Sequence, residues 1–467
     1  MTWPEQVSFN AWTGTAAASG QLGGESRRWA LDERVAAVPT VLAPRPLPEL
    51  RDWRNPEVGW GLILPEAADD LAAAERAAGA DAPEPIRGLL AARGGPVLRY
   101  LRVNGRHVLR RHYPDRGPQD LDLGASPSGT GVGQLPRYLL IYASPAQVPW
   151  VFQYLLNSGP RMVGRLDLGG DALANYVDHL LHEWDGAAAR VERPVVLATD
   201  WGQGDITRTM RRLIAEPVAG ALRADTQIGE QARYLDGATM DASCAALVEA
   251  LGERRPGLVV TTSHGMTGPL DDLEALGRNL GRPVDNRRQV LDPDAVSAAW
   301  APDGAIWYAH ACCSAGSDDP SQLATILEPG SSAREILEGV AKLGATVAPL
   351  PRALLGADKP LRAFIGHVEP TFDWTIQQPL TRQSLAASIR QALYDHLYQP
   401  EPVGLALRDW YAGIGTYLAA WRDAVKAYDQ GQDTQEQALA SQLSAVDRQS
   451  MVILGDPTAA LPPLPPG

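Results

Sequence analysis

The chain switches between short unbroken apolar runs and longer stretches in which apolar residues recur every three or four positions. From residue 138 onward the runs are clear: YLLIY (138–142, stopped by Pro145), VVLA (195–198), LVVTT (258–262), IWYAHA (306–311), AFIG (363–366) and MVILG (451–455). An apolar run without polar alternation, bounded by turn residues, predicts a strand buried on both faces. GATVAPL (344–350) is a shorter candidate. Between the runs, ALANYVDHLLHEWDG (172–186) has helical spacing and a glycine stop. DITRTMRRLIAEPVAGAL (205–222) predicts a helix with Asp205 as N-cap. Strands alternating with helices indicate an α/β class: a three-layer sandwich with a mostly parallel sheet flanked by helices.

Residues 1–130 follow a different pattern, rich in Pro, Gly and Arg and weakly periodic. VPTVLAPRPLPELRDWRNPEVGWGLILP (38–65) predicts loops and short strands, and PEAADDLAAAERAAGA (65–80) a short helix. The organisation expected is an irregular N-terminal extension over 1–130, regulatory or wrapped on the core, a first α/β subdomain over 131–190, and a second over 191–467 that ends in a closing strand. At 467 residues the chain is too long for one small core.

Composition narrows the partners. With 45% hydrophobic and 21% charged residues this is a folded globular chain. A formal net charge of -13 argues against a nucleic-acid backbone. No apolar run approaches the length of a membrane helix, and MTWPEQVSFNAWTG lacks the form of a secretory signal. Three cysteines make no disulfide framework, so a reducing cytoplasm is expected.

Chemistry concentrates at two strand ends. In open parallel sheets functional residues gather beyond the carboxyl ends of strands. TTSHG places His264 and Gly265 at one such end, and AHACCSAG places His310, Cys312, Cys313 and Gly316 at another. A thiol becomes a nucleophile when an imidazole takes its proton, and the same imidazole can protonate a leaving amine. Neighbouring glycines admit a substrate backbone and leave amides for an oxyanion, which nominates the backbone at Gly265 and Cys313. A buried structural role is the ordinary fate of a lone cysteine, and of His310, which alternation places on the face of Cys312. Adjacent cysteines without a second pair do not suit zinc, and no cofactor is expected.

LVVTTSHGMTG (258–268) and IWYAHACCSAG (306–316) together resemble the His-Gly and strand-Cys motifs of clan CD cysteine peptidases: caspases, metacaspases, gingipains and the bacterial caspase-like CHAT proteins. Aligning Gly316 with the family glycine selects Cys313 as nucleophile, and an alignment on Ala311-Cys312 selects Cys312. RYLLIYASPAQVPWVFQY, RMVGRLDLGGDALANYVDHLLHEW and MVILGDPTAALP resemble gingipain-type segments in the same order over about 135–460, though gingipains are secreted and this chain shows no export signal. The resemblance implies a caspase-hemoglobinase-like fold. It also implies a Cys-His dyad of His264 and Cys313, and cleavage of a peptide or protein is expected after Arg or Lys. Acidic pockets serve relatives that cut after Arg or Lys, which nominates Asp318, Asp319, Asp200 and Asp205, with Trp201 as a pocket wall and His367 as a further cleft residue. Against these stand loop and N-cap roles for each aspartate. A catalytically silent CHAT-like module that binds a regulatory protein partner is the alternative.

Overall fold

The computed structural model describes residues 6–26, 48–66, 71–378 and 381–465. Its strands, in chain order, begin with β1 (Gln6–Trp12), β2 (Ala17–Gln21), β3 (Trp60–Pro65), β4 (Val97–Val103), β5 (Arg106–Arg111) and β6 (Gln119–Leu121). Next come β7 (Tyr138–Tyr142), β8 (Met162–Leu166), β9 (Val195–Ala198), β10 (Arg233–Asp236), β11 (Leu258–Thr262) and β12 (His264–Met266). The last are β13 (Pro283–Val284), β14 (Ile306–His310), β15 (Gly316–Ser317), β16 (Thr346–Val347), β17 (Ala363–His367) and β18 (Met451–Gly455).

Twelve of these form one sheet in the order β10-β9-β11-β14-β17-β18-β8-β7-β3-β4-β5-β6. From β10 to β17 every pairing is parallel, and from β18 to β4 every pairing is again parallel. The two blocks meet antiparallel at β17–β18, so they run in opposite directions. Strands β9, β11, β14, β17 and β18 are buried along their whole length, as their unbroken apolar runs require. Helices flank the sheet, giving the expected α/β sandwich. Among the described residues no helix is long and apolar enough to cross a membrane.

The hydrogen-bonded sheet runs without a break across 130/131 and 190/191. The N-terminal region is irregular in part, but β3–β6 complete one end of the main sheet, and β1–β2 join a second one. Charge on these strands hides them from an apolar pattern. Arg99 on β4 is fully buried because Asp81 takes its guanidinium bidentately, at 2.6 and 2.9 Å. Arg110 on β5 meets Asp120 on β6 across the ladder. Residues 27–47, and with them part of the VPTVLAPRPLP stretch, lie outside the described residues. GATVAPL yields only the two-residue β16, paired with β15 in a separate ribbon.

The second sheet matters for the site. Its order is β13-β12-β1-β2, and it sits at the end of β11, where the chain leaves the main sheet after Ser263.

Candidate active site

His264 begins β12 and is completely buried. Its Nε2 lies 3.1 and 3.0 Å from the two carboxylate oxygens of Asp205. An ionised carboxylate only accepts, so Nε2 carries the proton and Nδ1 is left as an acceptor. Among the described residues Nδ1 has no hydrogen-bond partner. Asp205 caps the helix Ile206–Met210, as the sequence pattern predicts, accepting from Thr207 N at 2.8 Å and Thr207 Oγ1 at 2.5 Å. Burial pushes its carboxyl up, but the hydrogen bond from His264 and the Thr207 donors help outweigh that and hold it below the ordinary value. Trp201 packs on the imidazole with ring centroids 4.5 Å apart and fixes itself through Nε1 on the Asp285 carbonyl.

The cysteines follow the neighbouring strand. β11 and β14 pair with Thr262 opposite His310, and Ser263 N bonds His310 O, so the two strand ends are level. Cys312 and Cys313 then occupy a tight turn, both fully buried. Cys313 has φ +55°, a left-handed conformation that is strained for a side chain other than glycine. Its amide is spent on the Glu369 carbonyl at 3.0 Å. Burial, then the charge of Glu369, pushes its thiol well above the ordinary value. The Cys312 thiol contacts Asn10 Oδ1, receives the Thr371 amide at 3.3 Å and lies 3.7 Å from the Thr371 carbonyl. Burial raises it too, and no hydrogen bond ties its amide among the described residues.

Two glycines let β12 and its return cross this turn. A Cβ on Gly265 would fall 1.9 Å from the Cys312 carbonyl oxygen and 3.0 Å from its amide nitrogen. One on Gly281 would fall 2.0 Å from the Cys313 carbonyl oxygen. Gly265 therefore lies on the backbone of Cys312, so the pairing expected between Gly265 and the Cys313 amide is not what the structure brings together. The free amide beside Gly265 is that of Cys312.

The four aspartates separate. Asp205 is the imidazole's partner and a helix cap, not a pocket acid. Asp200 accepts from Gly202 N at 2.9 Å and lies 3.8 Å from Arg211, so its charge already faces a cation. Asp319 is exposed. Asp318 is half-buried, and desolvation pushes it up to about 6. Near it lie Glu369, buried and pushed up to about 8, and the fully buried Arg165.

His310 is structural: Tyr308 lies 2.9 Å from its Nδ1, and His367 Nε2 3.4 Å from the same atom. His367 is buried on Ser450 Oγ rather than in a cleft. Asn10 and Thr371 are neighbours that sequence reasoning missed. Asn10 lies 302 positions from Cys312 and Thr371 lies 59, and nothing local marks either contact. A cavity of about 570 Å³ lined by Trp184, Gly304 and Arg362 opens at the amino ends of β14 and β17, the far end of the sheet. Among the described residues no three His, Cys, Asp or Glu side chains converge as metal ligands. No family model, curated protein or solved structure matches this chain.

Proposed function

We propose that the chain is a cysteine endopeptidase of caspase-like type, with Cys312 as nucleophile and His264 as proton shuttle. The observation that carries this reading is His264 itself, with one nitrogen held by a half-buried carboxylate and the other a bare acceptor, level with a thiol-bearing turn. That is the state of an imidazole ready to receive a proton. Cys312 is preferred to Cys313, which the Gly316 alignment selects, because its amide is free and adjoins Gly265. The sulfur of Cys313 instead has the Glu369 carboxyl as its neighbour.

In the reaction, the Cys312 proton passes to His264 Nδ1 and the thiolate attacks the scissile carbonyl. The oxyanion is met by the Cys312 amide with the backbone at Gly265. Collapse expels the amine, which takes the proton from His264, and leaves a thioester. His264 then draws a proton from water, whose attack frees the acid and restores the thiol. Asp205 holds the tautomer and stabilises the imidazolium in both steps.

Substrates cut after Arg or Lys fit Asp318 best among the four aspartates, since a raised carboxyl with Glu369 nearby gains most from an incoming cation. Three free cysteines suit the reducing cytoplasm. The complete burial of both thiols favours a second reading, a silent module that binds a regulatory partner. Turnover of a fluorogenic peptide panel, with mapping of the cysteine taken by an acyloxymethyl-ketone probe, separates the two. Arg or Lys turnover with Cys312 modified supports the peptidase, and absence of both supports the silent module.

A further inference from the structure

Both edges of the His264 strand are occupied. β13 pairs antiparallel on one side, His264 opposite Val284 and Gly265 opposite Pro283. β1 pairs parallel on the other, Ala11 with Gly265 and Trp12 with Met266. A peptide therefore finds no free ladder beside His264. One position earlier on β1, level with His264, stands Asn10, whose side-chain oxygen lies on the Cys312 thiol. The Asn10 amide bonds the Thr371 carbonyl at 3.2 Å, and Phe9 bridges Phe372 with ring centroids 5.9 Å apart.

The chemistry of that contact points one way. Asn10 Oδ1 and the Thr371 carbonyl present lone pairs to the sulfur, and the backbone N–H groups of Thr371 and Asn10 face it as donors. Burial is what chiefly keeps the sulfur protonated, outweighing the two backbone donors, and the lone pair of Asn10 Oδ1 accepts from the S–H so formed. The β1–β2 hairpin belongs to the second sheet, so its removal would leave all twelve strands of the main sheet paired. Val7, Phe9, Ala11 and Ala18 reach into the main hydrophobic core, and its other attachments are local. Trp12 stands edge-on to Trp201 at 4.7 Å, Ser332 Oγ donates to the Ser19 carbonyl at 3.0 Å, and Glu328 N donates to the Gln21 carbonyl at 3.1 Å.

We propose that β1 is an inhibitory latch: it fills the edge of the His264 strand and covers Cys312 with Asn10, keeping the thiol buried until the hairpin lifts. What it silences rests on the peptidase reading; that it guards the thiol does not.

The test is alkylation of the unmodified full chain by iodoacetamide across sub-denaturing urea, with Cys312 mapped by mass spectrometry and amide exchange followed in β1, β11 and β14. The latch predicts that Cys312 shares the protection of the β1 amides and is at least about tenfold less protected than those of β11 and β14. Cys312 tracking β14 while β1 exchanges tenfold more readily would overturn it. Asn10→Ala should speed Cys312 alkylation about tenfold with β14 exchange unchanged, and an unchanged rate counts against the latch. Faster alkylation without cleavage of any peptide would keep the latch and remove the peptidase reading.

Discussion

Asp205 and His264, 59 positions apart in sequence, meet at 3.0 Å between a carboxylate oxygen and Nε2. Asp205 also caps the helix Ile206–Met210, so the imidazole's partner is held in place by a helix end. Orientation of His264 is thus tied to the fold rather than to a mobile side chain.

Asp205→Asn separates the two roles, since asparagine caps helices as well as aspartate does. An amide that donates to Nε2 would push the proton to Nδ1 and remove the acceptor. Peptide turnover should fall by about 10²-fold to 10⁴-fold, mainly in kcat, while thermal unfolding changes little. Steady-state kinetics beside a calorimetric melt checks this, and undiminished kcat would contradict it.

The adjacent cysteines should differ sharply. Cys312→Ser should abolish turnover. Cys313→Gly should leave much of it, because glycine relieves a left-handed backbone that costs other residues about 1–2 kcal/mol. Cys313→Val should be the least stable of the three, as a branched residue at φ +55°. Urea unfolding and turnover of the three variants decide this.

Glu369 gives stability an alkaline slope. Its folded carboxyl is raised to about 8 from an ordinary 4.5, chiefly by burial. Between those values the folded chain binds the proton that the unfolded chain has released, so stability declines as pH rises, by at most about 1.4 kcal/mol per unit. Glu369→Gln should flatten this limb in urea midpoints taken from pH 5 to 8.

The His310–His367 pair acts on the acid side. Burial lowers His310 from 6.5 to about 3, and burial and then His310 lower His367 well below its ordinary value. Below 6.5 the unfolded chain takes up protons that the folded chain refuses, so stability is lost as pH falls toward 3. His367→Gln should shift this acid limb to lower pH in circular-dichroism titrations.

Much of this was legible where burial is complete. β7, β9, β11, β14, β17 and β18 stand out because strands covered on both faces carry unbroken apolar runs, and Asp205 stands out as an N-cap ahead of a helical pattern. Its bond to His264 does not, since nothing local selects one carboxylate from several near a strand end. β4–β6 are hidden by arginines that find acid partners only in three dimensions. The helices Arg408–Asp429 and Gln435–Ser450 also escape the pattern, because the second buries Ala, Ser and Gln along with its leucines. The pairing of β1 with β12 spans more than 250 positions, and the sequence of neither strand names the other.

One measurement addresses the central claim, that His264, held by Asp205, acts on Cys312. A peptide acyloxymethyl ketone ending in arginine is offered to the full chain, to Asn10→Ala and to Asn10→Ala carrying His264→Ala, and the modified cysteine is mapped. Stoichiometric modification of Cys312 is expected, faster in Asn10→Ala and lost when His264 is removed. Modification at Cys313 or Cys244, none in either histidine-bearing protein, or an undiminished rate without His264 would contradict it.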